Sequence, residues 1–125
     1  MSESIRVLIV EDELATNKLV SFVLQRHGYQ ICATTDGNEA VEAFERFQPD
    51  VVLLDLELPT MSGVEVLRWI RGQSTRPDVT VVVLTSTMYE SLAEPIAADS
   101  VCAKPIAPSK LLQILNQFAP VGEAL

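Results

Sequence analysis

The feature that most constrains the fold of this chain is a set of short apolar runs, each ending at a polar or charged residue. The most informative is Val51–Leu54, which ends at Asp55. A continuous run of Val and Leu is typical of a strand buried on both faces of a parallel sheet. Open parallel sheets bind ligands in the crevice at the carboxyl ends of their strands. The pattern therefore places the Asp55 carboxylate where binding sites form.

A second acidic position follows the first apolar run, because Val7–Val10 ends at Glu11 and Asp12. If these two strands are neighbours, their ends deliver three carboxylates to one edge of the sheet. Crowded carboxylates repel one another unless a cation or a proton intervenes. The pattern indicates a metal-dependent site.

The rest of the chain alternates predicted strands and helices. The predicted strands are Ile5–Val10, Gln30–Thr34, Val51–Asp55, Thr80–Thr85 and Val101–Ala103. The predicted helices are Leu14–His27, Asn38–Phe47, one that starts at Ser62, a weak one over Met88–Ala98 and a last one opened by Pro108. This alternation predicts βαβ units with right-handed crossovers, and hence a three-layer α/β/α domain with a parallel sheet.

Helical periodicity predicts which side chains face the core. The first helix carries Leu19, Phe22, Val23 and Arg26 on a common stripe, and the second has Ala40, Ala43, Phe44 and Phe47 at the spacing i, i+3, i+4, i+7. The predicted inner faces are Val66, Leu67 and Ile70 in the third helix and Leu111, Leu112, Leu115 and Phe118 in the last. Ser62 and Glu65 fit a capping box at the start of the third helix.

Composition narrows the class of protein. At 125 residues, the chain has the length of one domain. Its net charge of −8 predicts that the surface repels nucleic acid and anionic lipid. This charge does not exclude a basic protein partner. No apolar stretch approaches the ~20 residues that a membrane helix requires. The N-terminus lacks the features of a secretory signal, and Cys32 and Cys102 are isolated. We therefore expect a cytoplasmic location and no membrane association.

Six segments together carry a family resemblance: Val10–Glu13, Asp36–Ala40, Asp50–Asp55, Pro59–Gly63, Leu84–Ser86 and Lys104–Pro105. They resemble the receiver domain of two-component response regulators, such as the chemotaxis regulators, over roughly residues 5–119 of a single domain, 1–125. Any one motif is weak, but an acidic pair, an Asp, a Thr and a Lys-Pro in this order, each at the end of its own strand, form a highly specific combination. The resemblance implies a flavodoxin-like (βα)5 fold with a five-stranded parallel sheet in the order 2-1-3-4-5.

The resemblance also implies a set of roles. Asp55 would accept a phosphoryl group from a histidine kinase, a histidine phosphotransfer protein or a small phosphodonor. Mg²⁺, for which Mn²⁺ could substitute, would be held by Asp12, Asp55, Glu11 (directly or through water) and the backbone carbonyl of Glu57. Lys104 and Thr85 would bind phosphoryl oxygens, and movement of Thr85 would be the switching event.

Further implied features concern kinetics and partners. Glu57 and Thr87 would flank the path of an attacking water and tune the phosphoryl lifetime, and Pro105 would follow a cis peptide bond. The domain would catalyse only its own phosphorylation and dephosphorylation. It would contact a downstream protein through the face formed by helix four, strand five and helix five, without binding nucleic acid.

Each site residue has a structural alternative. Asp55 could begin a turn, Glu11 and Asp12 could open the first helix, Thr85 could be an ordinary strand residue and Lys104 a solvated charge. Together these alternatives require several coincidences at one edge of the sheet, so the pattern favours a site.

The chain departs from the family in the region that usually produces output. Val101 stands where the family has an aromatic residue, and Ser86 stands where Ala or Gly is common. Pro95 disfavours helix at the residue before it. We therefore expect a short, broken or mobile helix four and a modified output face, with Tyr89 as a substitute aromatic.

Three functions stay open on the sequence. The first is a phosphorylation-dependent switch or relay, and the second is an interaction module that signals without phosphate. The third is a metal-dependent phosphatase of the Asp-x-Asp type, which Asp55-Leu56-Glu57 loosely resembles. No output domain follows Phe118, so we expect either a regulator that works by contact or a piece of a larger protein.

Overall fold

The computed structural model describes residues 4–73, 76, 78–86 and 98–118. Its elements are β1 (Arg6–Val10), α1 (Leu14–Arg26), β2 (Gln30–Thr34), α2 (Gly37–Phe47), β3 (Val51–Asp55), α3 (Gly63–Arg71), β4 (Thr80–Thr85), β5 (Ser100–Ala103) and α4 (Pro108–Phe118). The last of these, α4, is the predicted fifth helix. Except for Ala98, the predicted fourth helix lies outside the described residues, and so do Thr87, Tyr89 and Pro95.

The five strands form one parallel sheet in the order β2-β1-β3-β4-β5, which confirms the predicted order. Val10 pairs with Leu54, and Asp55 pairs with Leu84. Thr85 pairs with Ala103 on β5. These registers bring the carboxyl ends of β1, β3, β4 and β5 to the same edge. The edge therefore collects the residues that the motifs single out.

The core lies on both faces of the sheet, as expected for three layers. Alternate residues of the central strands pack against α2 and α3 on one face and against α1 and α4 on the other. In β3, all four residues of Val51–Leu54 are fully buried. A strand that is buried on both faces needs apolar side chains on both of its sides, as Val51–Leu54 has.

Several element boundaries differ from prediction by one residue. The first strand begins at Arg6, and α1 ends at Arg26, one residue before its C-cap His27. Gly37 belongs to α2 because the Asp36 carboxylate caps that helix by accepting a hydrogen bond from Glu39 N at 2.8 Å. The fifth strand begins at Ser100. Helix and strand ends are the least certain part of a sequence pattern because their last residues gain little from pairing.

The common stripe predicted for α1 is not its buried face. The buried residues are Asn17, Val20 and Leu24, whereas Leu19 is 42% and Phe22 is 58% exposed. Val23 is half-buried and Arg26 is exposed, with its guanidinium 5.5 Å from the centre of the Phe22 ring. The periodicity misled because a polar residue, Asn17, occupies the buried stripe.

The predicted inner faces of the other helices hold with one exception. Phe118, at the end of α4, is 40% exposed, and Ile114 is buried instead. Leu112 is half-buried, and Leu111 and Leu115 are buried as predicted. Among the helices of the described ranges, none has the length and apolar character needed to cross a membrane.

Candidate functional site

Three carboxylates meet at the carboxyl edge of the sheet. Glu11 and Asp12 directly follow β1, and Asp55 ends the neighbouring strand β3. One carboxylate oxygen from each lies within 4.8 Å of the others. Glu11 is fully buried and Asp55 is 1% exposed, whereas Asp12 is exposed. The sheet topology thus creates the crowding of negative charge that the sequence predicts.

The loop after β1 is fixed by hydrogen bonds to Glu11. Its Oε2 atom accepts a hydrogen bond from Glu13 N at 3.0 Å. The Asn17 side chain donates to the backbone oxygens of Glu11 and Thr34, both at 3.0 Å. Asn17 therefore ties the β1 and β2 ends to α1 and holds the Glu11 backbone in place. The sequence motifs do not single out Asn17, although a polar side chain at a buried helical position is its signal.

The loop after β3 is fixed in a similar way. Asp55 Oδ1 accepts a hydrogen bond from Glu57 N at 2.9 Å, a turn that an aspartate side chain commonly makes. Ser62 then caps α3 by accepting from Glu65 N at 3.2 Å. A Cβ atom at Gly63 would lie 2.3 Å from Asp55 O, so glycine is required for this close approach. The backbone of Asp55 is therefore held from the side of α3.

Lys104 supplies positive charge to the carboxylates. Its Nζ lies 2.8 Å from Glu11 Oε1 and 3.2 Å from Asp55 Oδ2, and its side chain is only 15% exposed. Its backbone N–H donates to Thr85 O at 2.9 Å, which joins the ends of β4 and β5. The Lys104–Pro105 peptide bond is cis, as the resemblance implied.

The burial and charges of the site shift three ionisation equilibria. Burial raises the pKa of the Glu11 carboxyl, and the nearby Asp55 adds to the rise against the opposing effect of Lys104. Burial and the proximity of Asp55 also raise the pKa of Asp12. For Lys104, burial lowers the pKa, but its contacts with Glu11 and Asp55 outweigh burial and leave the pKa raised. Additional positive charge, from a proton or a cation, would therefore stabilise the crowded carboxylates of the site.

The residues present fit a hard divalent cation. Mg²⁺ and similar ions prefer carboxylate and carbonyl oxygens, which this cluster presents. Glu11 Oε1 is buried and accepts no hydrogen bond of good geometry from the described part of the chain, although Lys104 Nζ is close. Buried polar atoms without such a partner are uncommon in proteins and mark places where an ion or water binds.

A cleft of about 600 Å³ opens over Asp55, and Asp12, Glu57, Ser86 and Lys104 also line it. Thr85, one residue before Ser86, is 2% exposed at the end of β4. The Ser86 hydroxyl donates to Glu57 Oε1 at 3.0 Å. The sequence singles out both residues but does not predict their contact, because they are 29 positions apart. Thr87 lies outside the described residues.

Comparison with known proteins gives a consistent result. Residues 7–116 match the family described as the response regulator receiver domain. The DNA-binding response regulator MtrA of Mycobacterium tuberculosis is 35% identical over 107 residues, which cover 86% of this chain and 47% of MtrA. The sensory transduction protein RegX3 of the same organism is 36% identical over 106 residues, covering 85% of this chain and 47% of RegX3. The chain thus spans about half the length of these curated relatives.

Solved structures share the fold. The chemotaxis response regulator CheY4 of Vibrio cholerae superposes with a TM-score of 0.87 at 29% identity, covering 93% of this chain and 99% of CheY4. The receiver domain of the sensor histidine kinase PA1611 from Pseudomonas aeruginosa superposes with a TM-score of 0.85 at 28% identity, covering 93% and 98%. The latter structure holds a magnesium ion in its active-site cleft.

Proposed function

This chain belongs to the response regulator receiver domain family, and from that premise we propose that Asp55 is its phosphoacceptor and that Mg²⁺ supports the transfer. Receiver domains of this family are signalling modules of two-component systems. The observation that carries the proposal is the placement of Asp55: a buried carboxylate that nevertheless lines an open cleft, with Lys104 Nζ 3.2 Å from its Oδ2.

The residues proposed to hold the cation are Glu11, Asp12, Asp55 and the backbone carbonyl of Glu57. Mn²⁺ is proposed to substitute, because it accepts the same oxygen ligands. When bound, the cation neutralises the charge of the carboxylates and of the incoming phosphate, which otherwise repel each other. The support for this assignment is the cluster of carboxylate oxygens within 4.8 Å and the buried Glu11 Oε1 atom.

Lys104 and Thr85 are proposed to bind the transferred group. In the reaction, a bond forms between phosphorus and an Asp55 carboxylate oxygen as the bond to the donor's leaving atom breaks. The Lys104 ammonium already contacts Asp55 Oδ2, so a small shift places it on a phosphoryl oxygen. Thr85 lies at the end of β4, next to β5, and its hydroxyl is proposed to donate to a second phosphoryl oxygen.

The proposed cellular role follows from this chemistry. The donor is a histidine kinase or a histidine phosphotransfer protein in the cytoplasm, and the domain catalyses only its own phosphorylation and dephosphorylation. A downstream protein would be contacted at the face that includes β5 and α4. Val101 on β5 is half-buried against the core, so this face lacks the aromatic side chain that the family usually has at that position.

The test is the mass of the intact protein after incubation with Mg²⁺ and acetyl phosphate, a small phosphodonor. We expect one phosphoryl adduct, which Asp55→Ala and omission of Mg²⁺ both abolish. Asp50→Ala is the matched control, because Asp50 is an exposed carboxylate beside the opposite end of β3. No adduct on the folded, Mg²⁺-containing protein would contradict the proposal and favour an interaction module that signals without phosphate.

The Asp-x-Asp phosphatase has less support. That reaction uses a second aspartate two residues after the first, and Glu57 stands at that position in this chain. Turnover of an added phosphoester by the parent protein would revive this function.

A further inference from the structure

The hydrogen bond between Ser86 and Glu57 is a feature of this site that its phosphoacceptor role leaves unexplained. It joins the loop after β4 to the loop after β3, and both residues line the cleft over Asp55. Both side chains are exposed, so the bond contributes little burial or stability. The main effect of this hydrogen bond is therefore to fix the position of the Glu57 carboxylate.

That position is fixed at two points. The Glu57 N–H donates to Asp55 Oδ1 at 2.9 Å, which fixes the backbone of Glu57 beside the acceptor. The Ser86 hydroxyl then holds the side chain, which would otherwise sample several rotamers in solvent. A carboxylate has about four sites that accept hydrogen bonds, and Ser86 uses one of them. Within the described part of the chain, the remaining sites are open to water in the cleft.

We propose that Ser86 is a positioning residue that holds the Glu57 carboxylate where it orients the water that hydrolyses the Asp55 phosphoryl group. The inference rests on the proposed function and deepens it, because it assigns a determinant of the phosphoryl lifetime in this chain.

In the hydrolysis, the water oxygen forms a bond to phosphorus while the bond between phosphorus and the Asp55 oxygen breaks. The electrons of the broken bond return to Asp55 as a carboxylate, and inorganic phosphate leaves. The proton released by the water is lost to solvent. Orientation of a reactant by a held side chain lowers the entropic part of the barrier.

Orientation through one hydrogen bond has a modest expected effect. A net hydrogen-bond energy of this kind corresponds to a change in rate of about 2- to 10-fold. Ser86→Ala should therefore slow hydrolysis about 2- to 10-fold, and Glu57→Ala should slow it at least as much. Ser86→Thr keeps the hydroxyl and should retain most of the parent rate.

The test is a double-mutant cycle on phosphoryl lifetime. Each protein is phosphorylated with acetyl phosphate and Mg²⁺, the donor is removed, and the loss of the adduct is followed by intact mass. If Ser86 acts through Glu57, the double variant Ser86→Ala/Glu57→Ala should decay no more slowly than Glu57→Ala alone. The midpoint of urea unfolding, measured on the same variants, should be unchanged, because both side chains are exposed.

The outcomes separate this inference from the proposed function. Failure of the parent protein to take up a phosphoryl group would overturn the proposed function and this inference with it. An adduct whose lifetime is unaltered in Ser86→Ala would overturn the inference alone. Additive slowing in the double variant would also overturn it, because the two residues would then act independently.

Discussion

Lys104 shows how one side chain can serve both stability and chemistry. Its ammonium lies between Glu11, which has no solvent exposure, and Asp55. Removing one member of a buried ion pair leaves the other charge without compensation. Lys104, which would bind phosphate, therefore also compensates the charge of the buried carboxylates when no phosphate is bound.

The first prediction concerns this lysine. Lys104→Ala should lower the free energy of unfolding by about 2–4 kcal/mol at pH 7, measured by urea denaturation without divalent cations. Mg²⁺ should restore part of the loss, because the cation supplies the missing charge. Lys110→Ala, which removes an exposed lysine of α4, is the matched control. Equal losses in the two variants would show that the ion pairs of Lys104 are energetically negligible.

The second prediction concerns pH. Because the pKa values of Glu11 and Asp12 are raised from ordinary values of 4.5 and 3.8, the folded protein binds more protons than the unfolded chain just above these values. Their contribution to stability therefore falls as pH rises through that window. The pKa of Lys104 is raised from its ordinary value of 10.5. The contribution of Lys104 to folding stability is therefore present below pH 10.5 and is lost as the pH rises through the raised pKa.

Asp12→Asn removes one of the crowded carboxylates and should therefore make the metal-free protein more stable near pH 7. The gain should be small, about 0.5 kcal/mol, because Asp12 is exposed and solvent screens its charge. Urea midpoints in the presence of a chelator, compared between about pH 4 and pH 7, measure it. Asp78→Asn, at an exposed aspartate far along the chain, should leave the pH profile unchanged. A loss of stability in Asp12→Asn would contradict the expected repulsion.

At the scale of elements, the junction of β3 and α3 is the most tightly packed part of the site. A Cβ atom at Gly63 would lie 2.3 Å from Asp55 O and 2.5 Å from Leu56 Cα. Since both contacts are with backbone, no side-chain rotation can relieve them.

The third prediction is that Gly63→Ala lowers the free energy of unfolding by about 3 kcal/mol, because α3 must move away from β3. It should also reduce phosphorylation of the fraction that folds, since Asp55 would be displaced. Gly72→Ala, at the C-terminal end of the same helix, is the control, because its Cβ would meet backbone oxygens at an ordinary 3.5 Å. Urea denaturation and intact mass measure the two effects. Similar stability of both variants would contradict the packing argument.

The sequence predicts most of the elements but only part of their packing. The strands were predictable because apolar runs such as Val51–Leu54 need burial on both faces. The inner face of α1 was not, because Asn17 is buried for its hydrogen bonds and Phe22 is exposed. The Ser86–Glu57 contact was not predictable either, because it depends on how two loops meet across the sheet.

At the scale of the whole molecule, the cation site should couple to folding. Its carboxylates come from two strands and are brought together only in the folded sheet, so a cation that binds there stabilises the entire domain. The acidic net charge of −8 adds a general attraction for cations, which salt screens.

The fourth prediction follows from this coupling. Each tenfold rise in free Mg²⁺ above its dissociation constant should add about 1.4 kcal/mol to the free energy of unfolding. Thermal melts at constant ionic strength measure the effect as a rise in Tm. Asp55→Ala should reduce the rise, and Asp50→Ala should leave it intact. An equal rise in both variants would indicate screening of surface charge instead of binding at the cluster.

The tight contact at Gly63 also makes the site more rigid on one side than on the other. The wall formed by α3 is stiff, because backbone packs on backbone there, and β3 is fully buried between β1 and β4. On the other side, β5 is a four-residue edge strand whose residues are mostly half-buried or exposed. Strain created at Asp55 should therefore be resisted on the side of α3. The geometry of one glycine thus limits the directions in which a local chemical change can spread.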